Sequence, residues 1–184
     1  MSEDLWVFGY GSLMWRPGFP YRRIAQATLH GYHRSFCIYS HHWRGTPERP
    51  GLVLGLKPGG SCRGIAFQVM AEHRDDVLVY LHERELVTYA YHPVTLPVEL
   101  AEIGDVHAYC FVADTLHVQF AGEVPLDRAA AIIMEAEGKG GLNRDYLINT
   151  VRELERHGYA EPELRALLLE VSKRTGEIEQ GGGI

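Results

Sequence analysis

The strongest constraint on the fold is that predicted strands follow one another through the first two thirds of the chain, without alternating regularly with helices. Short apolar or alternating runs predict strands at residues 5–8, 28–40, 52–54, 65–69, 94–100 and 106–112. Gly- and Pro-containing segments predict turns at residues 57–60 and 104–105. Since a doubly wound parallel sheet needs a helix between successive strands, this order favours a mixed α+β fold with a curled or barrel-like sheet.

Helical periodicity first occurs at residues 70–86, and after Phe120 it dominates the chain. Asp127 and Asn143 precede apolar-periodic segments and are predicted to cap two helices. Gly158 stands where the second of these should end, and Pro162 opens a third. The last third of the chain is therefore predicted to be helical.

The composition is that of a soluble globular protein, with 184 residues, 46% hydrophobic and 23% charged. We expect one domain over residues 1–176, followed by a mobile Gly-rich tail at 177–184. The net charge of −6 argues against a nucleic-acid-binding surface, and no apolar run is long enough to predict a membrane span. The N-terminal segment does not resemble a signal peptide, and the three cysteines form no CxxC pair, so we expect a cytoplasmic location.

The ten histidines raise the question of a metal site. His30 and His33 have a ligand-like spacing, but in a strand they point to opposite faces. His41 and His42 are adjacent and would also diverge, and no HExxH motif is present. Surface or hydrogen-bonded core histidines are the favoured interpretation, and no metal is predicted.

A loop with two glycines follows the first predicted strand, in the segment VFGYGSL at residues 7–13. Gly9 and Gly11 allow a ligand to approach the backbone closely, and successive amides in such a loop bind anions. Neither the dinucleotide pattern, which fails at Met14, nor the Walker pattern is present. The spacing alone leaves open whether this is a ligand loop or an ordinary tight turn.

Two glutamates flank Arg84 at the end of the first predicted helix. Residues two apart lie on different helix faces, so only Glu83 or Glu85 faces a given cleft. Glu85 continues the apolar stripe of Val77 and Leu81, and burial would raise the pKa of its carboxyl into the range useful for proton transfer. A surface Glu–Arg pair is the alternative.

Two further segments have both a functional and a structural interpretation. Arg44 precedes the Gly- and Pro-rich turn RGTPERPG at residues 44–51, where it either presents a guanidinium to a carboxylate or belongs to a plain connecting loop. The glycines at 138–141, before Asn143, make either an anion site at a helix start or, more simply, a turn with an Asn cap.

Taken in order, these motifs resemble the ChaC-like γ-glutamylcyclotransferases, which act on glutathione. The resemblance covers most of the chain and is carried by VFGYGSLMW at 7–15, RGTPERPG at 44–51, Arg84-Glu85, AYCFVA at 108–113 and GLNRDYL at 141–147. The YGSL loop is shared with the wider superfamily, and the RGT segment together with the Asn-x-x-Tyr-Leu helix is specific to the ChaC-like branch. The resemblance implies a mixed α+β fold around a β-barrel, flanked by helices.

It also implies roles for particular residues. Glu85 is the catalytic carboxylate, and the backbone amides of the first loop hold the γ-glutamyl group, through Val7, Phe8, Gly9, Tyr10, Gly11, Ser12 and Leu13. Arg44 and Tyr109 are implied to be pocket residues, and Tyr89 or Tyr91 takes the place of a further tyrosine. Ser40 stands where some members have an acidic residue, a departure that bears on substrate preference.

The implied reaction is attack of the substrate's α-amine on its own γ-carbonyl, with release of 5-oxoproline and cysteinylglycine from glutathione. Glu85 would move the proton from the amine to the leaving nitrogen. The reaction needs no metal, nucleotide or flavin, and the expected partner is a small molecule, without nucleic acid or membrane. Other γ-glutamyl amines as donors, or a binding module without turnover, are the alternatives.

Overall fold

Five strands form a closed barrel in the order β1, β3, β2, β4, β5 in the computed structural model, which describes residues 3–88 and 90–176. The strands are β1 (Leu5–Gly9), β2 (Arg23–Ser40), β3 (Gly51–Val69), β4 (Tyr91–Leu100) and β5 (Gly104–Ala113). Four α-helices accompany them in the described ranges: α1 (Arg74–Glu85), α2 (Leu126–Glu135), α3 (Asn143–Arg156) and α4 (Pro162–Thr175). Two-residue strands β6 (Glu137–Gly138) and β7 (Gly141–Leu142) form a separate small sheet. The expectation of a mixed α+β barrel is thereby confirmed.

Contacts divide the chain into two units. The first unit comprises Met1–Ser35 and Leu54–Phe120, with β1, α1, β4, β5 and the larger parts of β2 and β3. The second comprises Phe36–Val53 and Ala121–Ile184, with α2 to α4 and the small sheet. A single domain over residues 1–176 stays a prediction, and residues 177–184 and Tyr89 lie outside the described residues.

Strand β1 closes the barrel of the first unit because it pairs on both of its edges. It runs antiparallel to β3, with Val7 opposite Phe67, and parallel to β5, with Val7 opposite Tyr109. Strands β4 and β5 form an antiparallel hairpin from Tyr91 to Ala113. Closure places the end of β1, where the glycine loop begins, against β5.

Two predicted turns were wrong in position. Residues 57–60 do not separate two strands, because β3 continues through them. Gly59 and Gly60 have φ of 101° and 69°, a backbone conformation that only glycine adopts readily, and they bend the strand without ending it. Gly104 and Asp105 already belong to β5, and the β4–β5 turn lies at residues 101–103.

The predicted helices are present, but two predicted caps were wrong. No side chain caps α2 or α3, and Asp127 lies in the first turn of α2, where its charge still complements the helix dipole. Asn143 is the first residue of α3, and its amide group is engaged elsewhere. Gly158, with φ of 75°, follows the end of α3, and Pro162 occupies the first turn of α4, as the sequence predicted. No helix in the described ranges has the length and apolar character needed to cross a membrane.

Candidate active site

The loop after β1 is buried for most of its length. Val7, Phe8, Tyr10 and Leu13 are core residues, and a short 3₁₀ helix spans Ser12–Met14. A Cβ atom on Gly9 would lie 3.0 Å from the Cβ of Leu13, a tight contact, so the absence of a side chain at Gly9 eases the turn of the chain at this point. The loop is therefore a fixed part of the barrel.

Arg84, near the end of α1, holds the segment that follows this loop. Its guanidinium donates hydrogen bonds to Ser12 Oγ at 3.0 Å and to the carbonyl oxygens of Arg16 and Pro17 at 2.6 and 3.1 Å. It also contacts the hydroxyl of Tyr80 at 3.0 Å. Because one planar guanidinium joins these groups, the end of α1 and the glycine loop are fixed to each other.

Glu85 is the last residue of α1, and its side chain is 20% exposed. Its Oε1 lies 3.3 Å from Nε of Arg84, while Glu83 is exposed. Burial raises the pKa of the Glu85 carboxyl above its ordinary value of 4.5, and the Arg84 charge offsets part of that rise. A carboxyl in this environment suits proton transfer nearer to neutrality.

Tyr109 lies on β5 directly beside Val7, at the entry to the glycine loop. Its hydroxyl and His82 Nε2 form a hydrogen bond, and its ring packs edge-on against Phe111 at 5.5 Å between centroids. Burial raises the pKa of the phenol, with a smaller contribution from Cys110. The hydroxyl therefore stays protonated and remains a hydrogen-bond donor at neutral pH.

Arg34 on β2 also holds the loop, although no motif in the sequence marks it as a site residue. Its Nε donates to the carbonyl of Tyr10 at 2.7 Å, and its Nη2 to the carbonyl of Arg63 at 2.6 Å. In the alternation of β2, residue 34 shares a face with Phe36 and Ile38, which are buried. A charged residue in register with an apolar face was the signal that could have identified it.

Arg44 lies in the second unit, in a tightly folded turn. A Cβ on Gly51 would lie 2.2 Å from the Arg44 carbonyl oxygen, so the two ends of RGTPERPG touch through their backbones. Arg44 Nη1 donates to the Leu142 carbonyl at 3.2 Å, and its guanidinium lies 5.4 Å from the centroid of the Tyr146 ring. The Arg44 side chain is thus held by the RGT turn's own unit.

Asn143 and the glycines before it have structural roles in the same unit. The Asn143 amide accepts from Leu52 N and donates to Leu52 O, both at 2.8 Å. The amides of Lys139 and Gly140 donate to the carbonyls of His42 and Trp43. These bonds favour the turn over the anion site, although Asn143 pairs with the start of β3 and does not cap the helix.

The structure thus brings the loop at residues 7–13, the Arg84-Glu85 pair and Tyr109 together in the first unit and places Arg44 in the second. Tyr91 is half-buried, and its hydroxyl donates to the Leu54 carbonyl at 2.7 Å. No group of three or more His, Cys, Asp or Glu side chains within residues 3–88 and 90–176 is arranged to hold a metal ion.

Fold and site together define a class of small α+β barrel proteins in which a half-buried carboxyl pairs with an arginine that holds a glycine loop. Within that class, the chain belongs to the ChaC-like protein family, whose model matches residues 5–174. The motifs at 7–15, 44–51 and 141–147, which carried the resemblance, all lie within the matched range.

Several characterised relatives are similar over most of the chain. The glutathione-specific γ-glutamylcyclotransferase of Escherichia coli K12 is 35% identical over 173 residues, which cover 94% of this chain and 75% of the relative. That of Schizosaccharomyces pombe is 34% identical over 171 residues, 84% of each chain. A crystal structure of the glutathione-specific enzyme from yeast matches with a TM-score of 0.85 at 24% identity, over 94% of this chain and 99% of that one, and establishes the shared fold.

Proposed function

We propose that this protein is a γ-glutamylcyclotransferase that cleaves glutathione to 5-oxoproline and cysteinylglycine. The observation that carries the proposal is membership of the ChaC-like family combined with Glu85, a half-buried carboxyl with a raised pKa that pairs with Arg84, the residue that bonds to Ser12 of the glycine loop. The names of the E. coli and S. pombe relatives specify glutathione as the substrate of those proteins.

The first step is binding of the γ-glutamyl group by backbone amides of residues 7–13. These residues are held from one side by β1 pairing and from the other by Arg84, which contacts Ser12. A rigid loop holds the flexible γ-glutamyl chain folded back on itself, with the amine at its own γ-carbonyl, so less entropy is lost in the ring-closing step. Assignment of Arg44 as a substrate-binding residue rests on the resemblance of its RGT segment to the family.

Proton transfer by Glu85 accompanies the chemical step. The α-ammonium gives a proton to the Glu85 carboxylate, and the freed nitrogen forms a bond with the γ-carbon. The tetrahedral intermediate collapses as the γ-carbon–nitrogen bond to the cysteine residue breaks, and Glu85 returns the proton to the departing nitrogen. The ring nitrogen loses its remaining extra proton to the released amine, which leaves as an ammonium, so the products are neutral lactam and protonated cysteinylglycine. Such transfer by a placed side chain contributes about 10²–10⁴-fold to the rate.

Negative charge that develops on the γ-carbonyl oxygen needs a hydrogen-bond donor. Tyr109 is a protonated phenol beside Val7, at the start of the same loop, and loop amides offer further donors. The substrate also favours a cytoplasmic location, because glutathione is a major reductant of the cytosol.

The test is release of 5-oxoproline from a panel of γ-glutamyl compounds by the wild type, Glu85→Gln and Glu83→Gln. We expect turnover of glutathione by the wild type and by Glu83→Gln, whose side chain is exposed, and turnover lowered by about 10²–10⁴-fold in Glu85→Gln. Wild-type turnover by Glu85→Gln would refute the proton shuttle. If only other γ-glutamyl amides react, the protein is a cyclotransferase with a donor other than glutathione. Binding without turnover by the wild type would indicate a binding module.

A further inference from the structure

Arg34 is a buried cation that the proposed mechanism does not use. It is 3% exposed, and its hydrogen bonds reach the middle of the glycine loop at the Tyr10 carbonyl and strand β3 at the Arg63 carbonyl. Its Nη2 also lies 3.8 Å from Sδ of Met14, just beyond the loop. One guanidinium therefore holds the loop at its centre, touches the residue beyond its end, and ties both to β3.

The bond to Tyr10 fixes the direction of the next amide. The Tyr10 carbonyl and the Gly11 N–H belong to one planar trans peptide group, in which they point in opposite directions. Because the carbonyl points at the Arg34 guanidinium, the Gly11 N–H points away from it. Among the described residues, Gly11 donates none of the backbone hydrogen bonds that stabilise this turn.

A charged donor on the carbonyl also strengthens that amide. A guanidinium polarises the peptide group, so the N–H at its other end becomes a better hydrogen-bond donor. Burying a guanidinium is unfavourable unless its hydrogen bonds compensate, and an apolar side chain would fill the same space at less cost. The forked geometry of arginine lets it hold two carbonyls from different segments at once, which lysine does not match.

We propose that Arg34 is a positioning residue: by fixing the Tyr10 carbonyl, it aims the Gly11 N–H at an oxygen of the γ-glutamyl substrate. The substrate in this inference rests on the proposed function, whereas the orientation of the Tyr10–Gly11 peptide rests on the contacts of Arg34 alone.

Substrate binding gives the first test, in a Glu85→Gln background, where slow turnover is expected to leave the ligand intact during the titration. Calorimetry compares glutathione binding to Glu85→Gln with binding to the same protein carrying Arg34→Lys, which keeps the charge but loses the fork. We expect a loss of affinity of about 10-fold or more, the usual effect of losing a charge-assisted hydrogen bond. Arg23→Lys, at an exposed position of the same strand, is the matched control and should bind as tightly as its parent.

A second readout does not depend on the substrate. The amide nitrogen of Gly11 is sensitive to hydrogen bonding at the Tyr10 carbonyl, so ¹⁵N NMR should show a shift at Gly11 in Arg34→Lys and none in Arg23→Lys. An unchanged Gly11 resonance together with unchanged affinity would overturn the proposal. If Glu85→Gln binds no γ-glutamyl compound, both the proposed function and the claim that Gly11 N–H binds a γ-glutamyl oxygen are refuted. The Gly11 resonance then still shows whether Arg34 fixes the Tyr10–Gly11 peptide.

If Arg34→Lys does not fold, a crystal structure of Glu85→Gln with glutathione provides the same decision. We expect the Gly11 nitrogen within hydrogen-bond distance of a γ-glutamyl oxygen and the Tyr10 carbonyl on Arg34. A complex in which Gly11 N–H contacts only protein atoms would overturn the inference.

Discussion

At the scale of single residues, the site depends on which of two neighbouring glutamates is withdrawn from water. Glu83 is exposed, whereas Glu85 is 20% exposed and paired with Arg84 at 3.3 Å. Burial penalises the charged carboxylate and Arg84 favours it, and burial is the larger effect. The balance leaves a carboxyl that exchanges protons more readily near neutrality than a surface glutamate does.

The pKa of Glu85 predicts opposite pH trends for activity and stability. As a general base Glu85 acts deprotonated, so kcat/KM should rise with pH through a pKa above 4.5. Between 4.5 and that pKa the folded state holds a proton that the unfolded state has lost, so this group's contribution to stability falls as pH rises.

Glu85→Gln tests both trends. Turnover should fall by about 10²–10⁴-fold. The variant should also gain stability over the wild type above the folded pKa, with a smaller gain below pH 4.5. Denaturant titrations at several pH values measure this difference in the free energy of unfolding, with Glu83→Gln as the control variant. An equal gain at every pH would contradict the raised pKa.

Tyr109 gives a second prediction at this scale. Tyr109→Phe keeps the edge-on packing on Phe111 but removes the hydroxyl that pairs with His82 and is proposed to donate to the oxyanion. We expect a fall in kcat of about 10-fold or more, with little change in Tm. Steady-state kinetics measure the first and calorimetry the second. A large loss of Tm with unchanged kcat would assign the hydroxyl a structural role alone.

At the scale of elements, the second unit is organised by a side chain that replaces backbone pairing. Asn143, which is fully buried, bonds both N–H and C=O of Leu52, as a neighbouring strand would. The turn at 44–51 is closed by backbone contact between Arg44 and Gly51. Asn143 of the GLNRDYL segment therefore fixes Leu52, directly after the RGTPERPG turn, and the contact of Gly51 with Arg44 fixes the start of the turn beside its end.

Asn143→Ala should therefore be strongly destabilising. It leaves a buried N–H and a buried C=O of Leu52 without their partner, at about 1–3 kcal/mol each. We expect a loss of about 2–6 kcal/mol in the free energy of unfolding, measured by denaturant titration. Asn149→Ala, on an exposed position of the same helix, is the matched control and should change stability by less than about 1 kcal/mol. Similar small losses in both variants would contradict this role of Asn143.

At the scale of the whole molecule, the proposed chemistry uses a carboxyl, a phenol and backbone amides and needs no metal. Dialysis against a chelator, followed by assay of 5-oxoproline release, should leave kcat/KM unchanged. Loss of activity that added Zn²⁺ or Mg²⁺ restores would show that a metal takes part and would require a different role for Glu85.

The sequence by itself determined the order of strands and helices and the Gly158 and Pro162 helix ends, because periodicity and glycine placement are local properties. It also marked Glu85 and residues 7–13 as candidates, and their proposed roles come from the resemblance to the family. It did not determine the continuity of β3 through Gly59 and Gly60 or the partner of Asn143. Both depend on which residues, distant in the sequence, lie next to β3 and to Asn143 in the folded protein. The role of Arg34 was hidden for the same reason, since an arginine in an apolar register has meaning only once the Tyr10 and Arg63 carbonyls are in place. Tertiary structure decides where buried polar groups find partners, and a linear pattern does not contain that information.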